Sequence, residues 1–186
     1  LFDKLIKGRI DYVFADPNTQ TETYSLAKPD EHVFTAGIEA DFMFGGTNLF
    51  SIDIDIKDYM RSNNLEFDES TPKYIGSQCV PIVRHYKNFF NRPRPYQVAA
   101  FHNKELRRFK TETASTPSYP SGHTVQPMVV ALHYSKKYPE HKGELIRAAK
   151  IGGYGRVIAG LHYPSDYDAG IELAQQLMEY IKYDKF

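Results

Sequence analysis

Three short blocks in this chain carry side chains that could do chemistry together. The first is KNFFNRPRP, with Lys87, Arg94 and Pro95. The second is YPSGHT, with Ser121, Gly122 and His123. The third is GRVIAGLHYPSD, with Arg156, His162 and Asp166. As patterns they read K-x6-R-P, P-S-G-H and R-x5-H-x3-D. They supply three cations, two imidazoles, one hydroxyl and one carboxylate. That inventory suits a tetrahedral oxyanion attacked by an imidazole, and such a reaction asks for no separate metal or organic cofactor.

Each block has its own physical logic and a plainer alternative. In the first, prolines on both sides of Arg94 stiffen the backbone that presents its planar fork, and Lys87 adds a point charge. Alone, these cations read as solvated surface charge, and Arg92 competes with Arg94 for the role. In the second, a loop turns into a helix, so free N–H groups face outward and attract anions. Ser121 adds a hydroxyl, Gly122 allows close approach, and His123 titrates near neutral pH. Alone, this is a serine N-cap with an incidental histidine. In the third, Pro164 breaks the helix, so Asp166 meets His162 from the start of the next one. A carboxylate on one ring N–H leaves the other nitrogen free to attack. Alone, it is a surface His–Asp pair.

The three blocks in this order resemble the signature of the type 2 phosphatidic acid phosphatase superfamily. That superfamily takes in class A bacterial non-specific acid phosphatases, vanadium haloperoxidases and multi-span lipid phosphatases. SYPSGHT and AGLHYPSD are most similar to the soluble acid phosphatases. The resemblance spans Lys87 to Asp166, and its spacing favours Arg94 over Arg92. One departure stands out: Gly155 occupies the place where the family usually carries a serine before Arg156.

The resemblance implies a metal-independent phosphatase acting on phosphate monoesters through a phosphohistidine. His162 is then the nucleophile, Asp166 its orienting carboxylate and His123 the general acid. Lys87, Arg94, Ser121, Gly122 and Arg156 hold the phosphoryl oxygens. Vanadate is expected as an inhibitor. The alternatives are a haloperoxidase holding vanadate as its prosthetic group, a soluble lipid-phosphate or pyrophosphate phosphatase, and a non-catalytic phosphate-binding protein. Soluble relatives imply a periplasmic or secreted location, with the cytoplasm left open.

The elements that must position these blocks read as helices. An all-α, single-domain bundle over residues 1–186 is expected, with an irregular arm over 1–30 and the catalytic core over 87–166. Phe34, Ile38 and Phe42 give a helical stripe over 31–44. The segment 51–61 fits a strand or a helix, and a helix is favoured. Thr71-Pro72 predicts a helix start, with Pro81 a kink on the way to Phe90. Helices are expected over 121–138 and 142–161. Ser165 is expected to cap the last helix, with Ile171, Ala174, Leu177, Met178 and Ile181 as its apolar stripe.

Bulk properties exclude little but agree. At 186 residues, 41% hydrophobic and 25% charged, the chain has an ordinary globular composition. Lys+Arg and Asp+Glu balance at 23 each, so nothing global points to nucleic acid. Charge is segregated: ten acids and two bases over 30–69, eight bases and one acid over 81–110. No apolar run near the blocks approaches the roughly 20 residues of a transmembrane helix. Asp53, Asp55 and Asp58 lack the glycine and distal glutamate of a calcium loop. The basic run over 103–110 reads as the wet side of a helix. The lone Cys79 reads as a buried, inert thiol. The expected partner is a small phosphorylated substrate, and a homo-oligomer is compatible with the composition.

Overall fold

The computed structural model describes residues 54–102, 106 and 114–181. The arm over 1–30, the helix over 31–44, Asp53 and all but one residue of the basic run over 103–110 lie outside them. The described residues are helical, with no strand among them. In order they form α1 (Ile54–Ser62), α2 (Ser70–Phe90), the short α3 (Pro95–Val98), α4 (Gly122–Lys137), α5 (Lys142–Ile158) and α6 (Pro164–Leu177). Single 3₁₀ turns follow α3 and α4.

Helix α4 is the hub, packing on α5, α6 and α2, while α1 lies against α5. The apolar spacing explains the arrangement. Ile75, Cys79, Val83, Tyr86 and Phe90 recur at three- and four-residue steps along α2 and are all buried. They meet Val125, Met128 and Val129 of α4, Leu145 and Ala149 of α5, and Leu173 and Leu177 of α6 in one core. Ile56 and Met60 of α1 are buried in the same core, which settles the ambiguous 54–61 segment as helix. Cys79 is fully enclosed, and burial pushes its thiol up to about 12, as an inert thiol requires. The last stripe is only part of the story. Ala174, Leu177 and Ile181 are buried, but so is Leu173, while Ile171 and Met178 are only partly covered.

Helix ends differ from expectation in three places, each for a local reason. Helix α2 begins at Ser70 and not after a Thr71 cap. The N-cap is Glu69, without a side-chain cap bond, and the Asp68 carboxylate before it accepts the Ser70 N–H at 2.9 Å and the Thr71 hydroxyl at 3.2 Å. Helix α5 stops at Ile158 because Gly160 adopts φ 68°, a left-handed residue that closes a helix end. The Leu161 N–H then reaches back to the Arg156 carbonyl at 3.1 Å. Helix α6 is capped by Tyr163, with Pro164 at the first helical position, so Ser165 lies inside the first turn. Helix α2 itself continues through Pro81.

Two glycines let three helices converge beside the P-S-G-H block. A Cβ at Gly153 of α5 would lie 2.9 Å from Thr124 Oγ1. A Cβ at Gly170 of α6 would lie 2.8 Å from Thr124 Cβ and 3.0 Å from the Ser121 carbonyl. Thr124 is fully buried between them. Bare backbone at both positions is therefore what brings α5 and α6 onto the first turn of α4.

Candidate active site

The first block forms where α2 ends. Asn91 takes φ 43° and its N–H returns to the Lys87 carbonyl at 2.9 Å, closing the helix. Residues 91–94 are non-helical, as the two prolines demand. Lys87 points inward from the last turn of α2 and is buried. Its ammonium donates to the Pro117 carbonyl and, at 3.1 Å, to the Ser118 carbonyl. Arg94 is buried too: Nε donates to the Thr116 carbonyl and Nη1 to the Leu161 carbonyl, both at 2.8 Å.

The second block places Ser121 at the N-cap of α4. Its carbonyl accepts the first main-chain bonds of the helix, from the Thr124 and Val125 N–H groups at 3.1 Å each. The Gly122 and His123 N–H groups precede those bonds and belong to the open helix start. Ser121 does not cap with its side chain, against the plainer sequence reading. Its Oγ is buried and has no hydrogen-bond partner among the described residues. A buried hydroxyl without a partner costs about 1–3 kcal/mol.

The third block makes a buried relay. His162 is 3% exposed and Asp166 0%. His162 Nδ1–H donates to Asp166 Oδ2 at 3.1 Å, which turns Nε2 toward Arg94 Nη1 at 3.3 Å. Asp166 sits in the first turn of α6, and the same Oδ2 takes the Tyr163 N–H at 2.9 Å. A carboxylate is favoured there by the helix dipole. The Asp166 carbonyl in turn accepts the Ser121 N–H at 3.0 Å, joining the second and third blocks.

Charge explains the protonation states. Burial lowers His162 to about 3, outweighing the Asp166 carboxylate that raises it. Burial pushes Asp166 up, but Arg92, the His162 bond and the Tyr163 N–H bring it below the usual carboxylate value. The pair is thus a carboxylate and a neutral imidazole whose Nε2 holds a lone pair. His123 is half-buried in the first turn of α4. Burial, then Arg156, His162, Lys87 and Arg94, hold it well below its ordinary value. Burial and Arg94 lower Arg156 to about 10, which leaves it charged at neutral pH.

Lys87 is held at about 7, by burial and then by Arg94, with Asp166 opposing them. Its unfolded value is the ordinary 10.5. Between the two, the unfolded chain keeps a proton that the empty folded site has lost. Stability therefore rises with pH across that window, by at most about 1.4 kcal/mol per unit, and Lys87 contributes no slope below it. Thermal unfolding of the ligand-free protein from pH 7 to 9 should show this rise, and Lys87→Met should lose it. Saturating inorganic phosphate should flatten it by restoring the ammonium. Equal slopes in wild type and variant would mean that Lys87 does not sit in a cationic pocket.

The structure therefore brings Lys87, Arg94, Ser121, Gly122, His123, Arg156, His162 and Asp166 to one place. It also gives Arg92, weighed in the sequence only as a rival to Arg94, a place of its own. Arg92 Nη1 donates to Asp166 Oδ1 at 2.8 Å and to Ser165 Oγ at 2.7 Å. Its guanidinium lies over the Tyr163 ring, 4.0 Å from the centroid. Ser118, fully buried, donates its N–H to the Arg92 carbonyl at 2.9 Å. A usable signal was present: residues two apart in an extended segment share a side, so Arg92 and Arg94 can serve one site together.

A model of the PAP2 superfamily matches residues 74–175, more than half of the chain. The chain belongs to the PAP2 superfamily. Within it, a stretch of 85 residues is 39% identical to a non-specific acid phosphatase of Salmonella typhimurium, covering 45% of this chain and 33% of that protein. An acid phosphatase of Zymomonas mobilis is 33% identical over 126 residues, covering 64% of this chain and 47% of that protein. The chain thus spans between a third and a half of these curated relatives. A looser structural likeness is to a transmembrane PAP2 type phosphatidylglycerolphosphate phosphatase from Bacillus subtilis. It has TM-score 0.49 and 18% identity, over 97% of this chain and 96% of that one. Among the described residues of this PAP2 chain, no helix is long and apolar enough to cross a membrane.

Proposed function

We propose that this PAP2 chain hydrolyses phosphate monoesters by way of a phosphohistidine, with no metal ion. One observation carries the reading: a buried His162, held by Asp166 at Nδ1, turns Nε2 away from its carboxylate and toward Arg94. That nitrogen would attack phosphorus while the ester oxygen departs on the opposite side, taking a proton from His123. The P–O bond breaks as the N–P bond forms. Asp166 keeps the remaining ring proton on Nδ1 and stabilises the charge the ring acquires. Water then attacks the phosphorus with His123 accepting its proton, releasing phosphate and restoring Nε2.

Phosphoryl transfer needs little covalent help and mostly positioning and charge stabilisation. Lys87, Arg94 and Arg156 supply the charge that a metal supplies elsewhere. Ser121 Oγ and the N–H groups at the start of α4 supply directed donors. The acid phosphatase relatives support the same substrate class.

Hydrolysis of p-nitrophenyl phosphate at pH 5 to 8 in EDTA tests this reading, together with acid-quench capture of a phosphoenzyme. Turnover in EDTA that vanadate blocks is expected. No turnover by folded protein across the range would overturn it. The pH profile should carry a further mark. In the free enzyme His123 is held low by Arg156, His162, Lys87 and Arg94. A bound phosphoryl dianion offsets those charges and raises it. The alkaline limb of kcat should therefore lie at higher pH than that of kcat/KM. A kcat still climbing at pH 9 would remove His123 as the acid.

A further inference from the structure

We propose that Arg92 is a positioning residue for this site, acting on the nucleophile through Asp166; the inference rests on the phosphatase reading above. The Asp166 carboxylate divides its work. Oδ2 receives His162 Nδ1–H and the Tyr163 N–H, while Oδ1 receives Arg92 at 2.8 Å. Arg92 is fixed in turn by the Tyr163 ring beneath it and by Ser165 Oγ. Its carbonyl holds Ser118, whose own carbonyl accepts from Lys87. Arg92 therefore ties the first block to the third at the residue that orients the imidazole.

The physics gives this contact a specific consequence. A fully buried carboxylate is driven toward protonation, and a protonated Asp166 could no longer demand a hydrogen from Nδ1. The charged and titratable groups facing Asp166 are Arg92 before α3, His162 before α6 and Lys87 on α2. Of these, Arg92 does most to keep it ionised. His162 is neutral and Lys87 is itself depressed by burial. Lysine in place of Arg92 would restore charge but neither the planar stacking nor the fixed fork.

The test compares wild type with Arg92→Ala, Arg92→Lys and Arg92→Gln in the full chain. With p-nitrophenyl phosphate, Arg92→Ala should lower kcat by about 10–100-fold with KM within about twofold, as losing the outer partner of an oriented ligand does. The acid limb of its kcat profile should move to higher pH. Guanidinium ion should rescue part of the rate, and Arg92→Lys should restore the acid limb better than the rate. Unaltered kcat and acid limb in a folded variant would overturn the proposal. So would a rate loss with the limb unmoved, which marks a merely structural contact. If Arg92→Ala does not fold, the lysine and glutamine variants decide by the same two readouts. The ¹⁵N shifts of the His162 ring supply a measure independent of turnover. A single Nδ1–H tautomer is expected in wild type and a mixture in the variants at mildly acid pH. If wild type shows no hydrolysis, the functional reading falls and the ring shifts alone decide whether Arg92 sets the tautomer.

Discussion

Replacing His162 by alanine should reduce hydrolysis of p-nitrophenyl phosphate by at least about 10⁴-fold, the scale on which loss of a covalent nucleophile registers. Inorganic phosphate should still bind within about tenfold of wild type, because Lys87, Arg94, Arg156 and the start of α4 supply most of the attraction. The reason lies in the division of labour around the imidazole. His162 is turned by Asp166 so that Nε2 faces the cations, and burial keeps it unprotonated. On the proposed mechanism, removing the ring takes away the attacking atom and leaves the cations in place. No phosphoenzyme should be trapped from the variant. Activity above a few per cent of wild type in the folded variant would mean that another group attacks, and activity lost together with phosphate binding would mean that the imidazole holds the pocket open.

Alanine at Gly170 should lower both stability and turnover. Its Cβ would meet Thr124 Cβ at 2.8 Å and the Ser121 carbonyl at 3.0 Å, and the latter is backbone that cannot rotate away. Overpacking of this kind costs about 1–3 kcal/mol, against at most about 1 kcal/mol gained from the better helix propensity of alanine. The strain falls on the first turn of α4, so Ser121 and the N–H groups beside it must shift. A displacement on the scale of 1 Å can cost about 10²-fold in rate, and kcat should fall with the melting temperature. Gly143→Ala is the matched control, since nothing lies within 4 Å of its Cβ on the exposed first turn of α5. That change should be neutral or stabilising by up to about 1 kcal/mol. A Gly170→Ala protein as stable and active as Gly143→Ala would show that α6 can slide on α4 without disturbing the site.

Much of the site was legible in the residues themselves. Proline fixes where helices cannot continue, so Pro93 and Pro95 announced that Arg94 lies in a non-helical stretch, and Pro164 that Asp166 begins a new helix. Spacing put His162 and Asp166 within reach of each other across such a break. Side-chain type alone told that three cations, a hydroxyl and an imidazole suit a tetrahedral oxyanion, and the phosphoryl reading came from the resemblance of the three blocks to a family signature. Apolar periodicity gave the helices and their inward faces, since burial of a stripe is a property of local order along the chain. Cap identity was less legible. Thr71 and Ser165 are good caps by composition, but Glu69 and Tyr163 lie where the chain actually turns into the helix.

Tertiary structure alone decided which groups touch. Arg92 and Arg94 are two residues apart and chemically identical. One contacts Asp166 and the other faces His162 Nε2, because α6 and the loop before it approach that segment from a particular side. Ser121 reads as a side-chain cap in sequence, and only the fold shows its Oγ buried and not capping α4. Protonation is likewise a collective property. Lys87 is an ordinary lysine in sequence, and only burial beside Arg94 lowers it to about 7. Sequence carries what each residue can do and where the chain must turn. Distances between blocks more than 20 residues apart, and the fields that set charge, exist only once α5 and α6 close on α4.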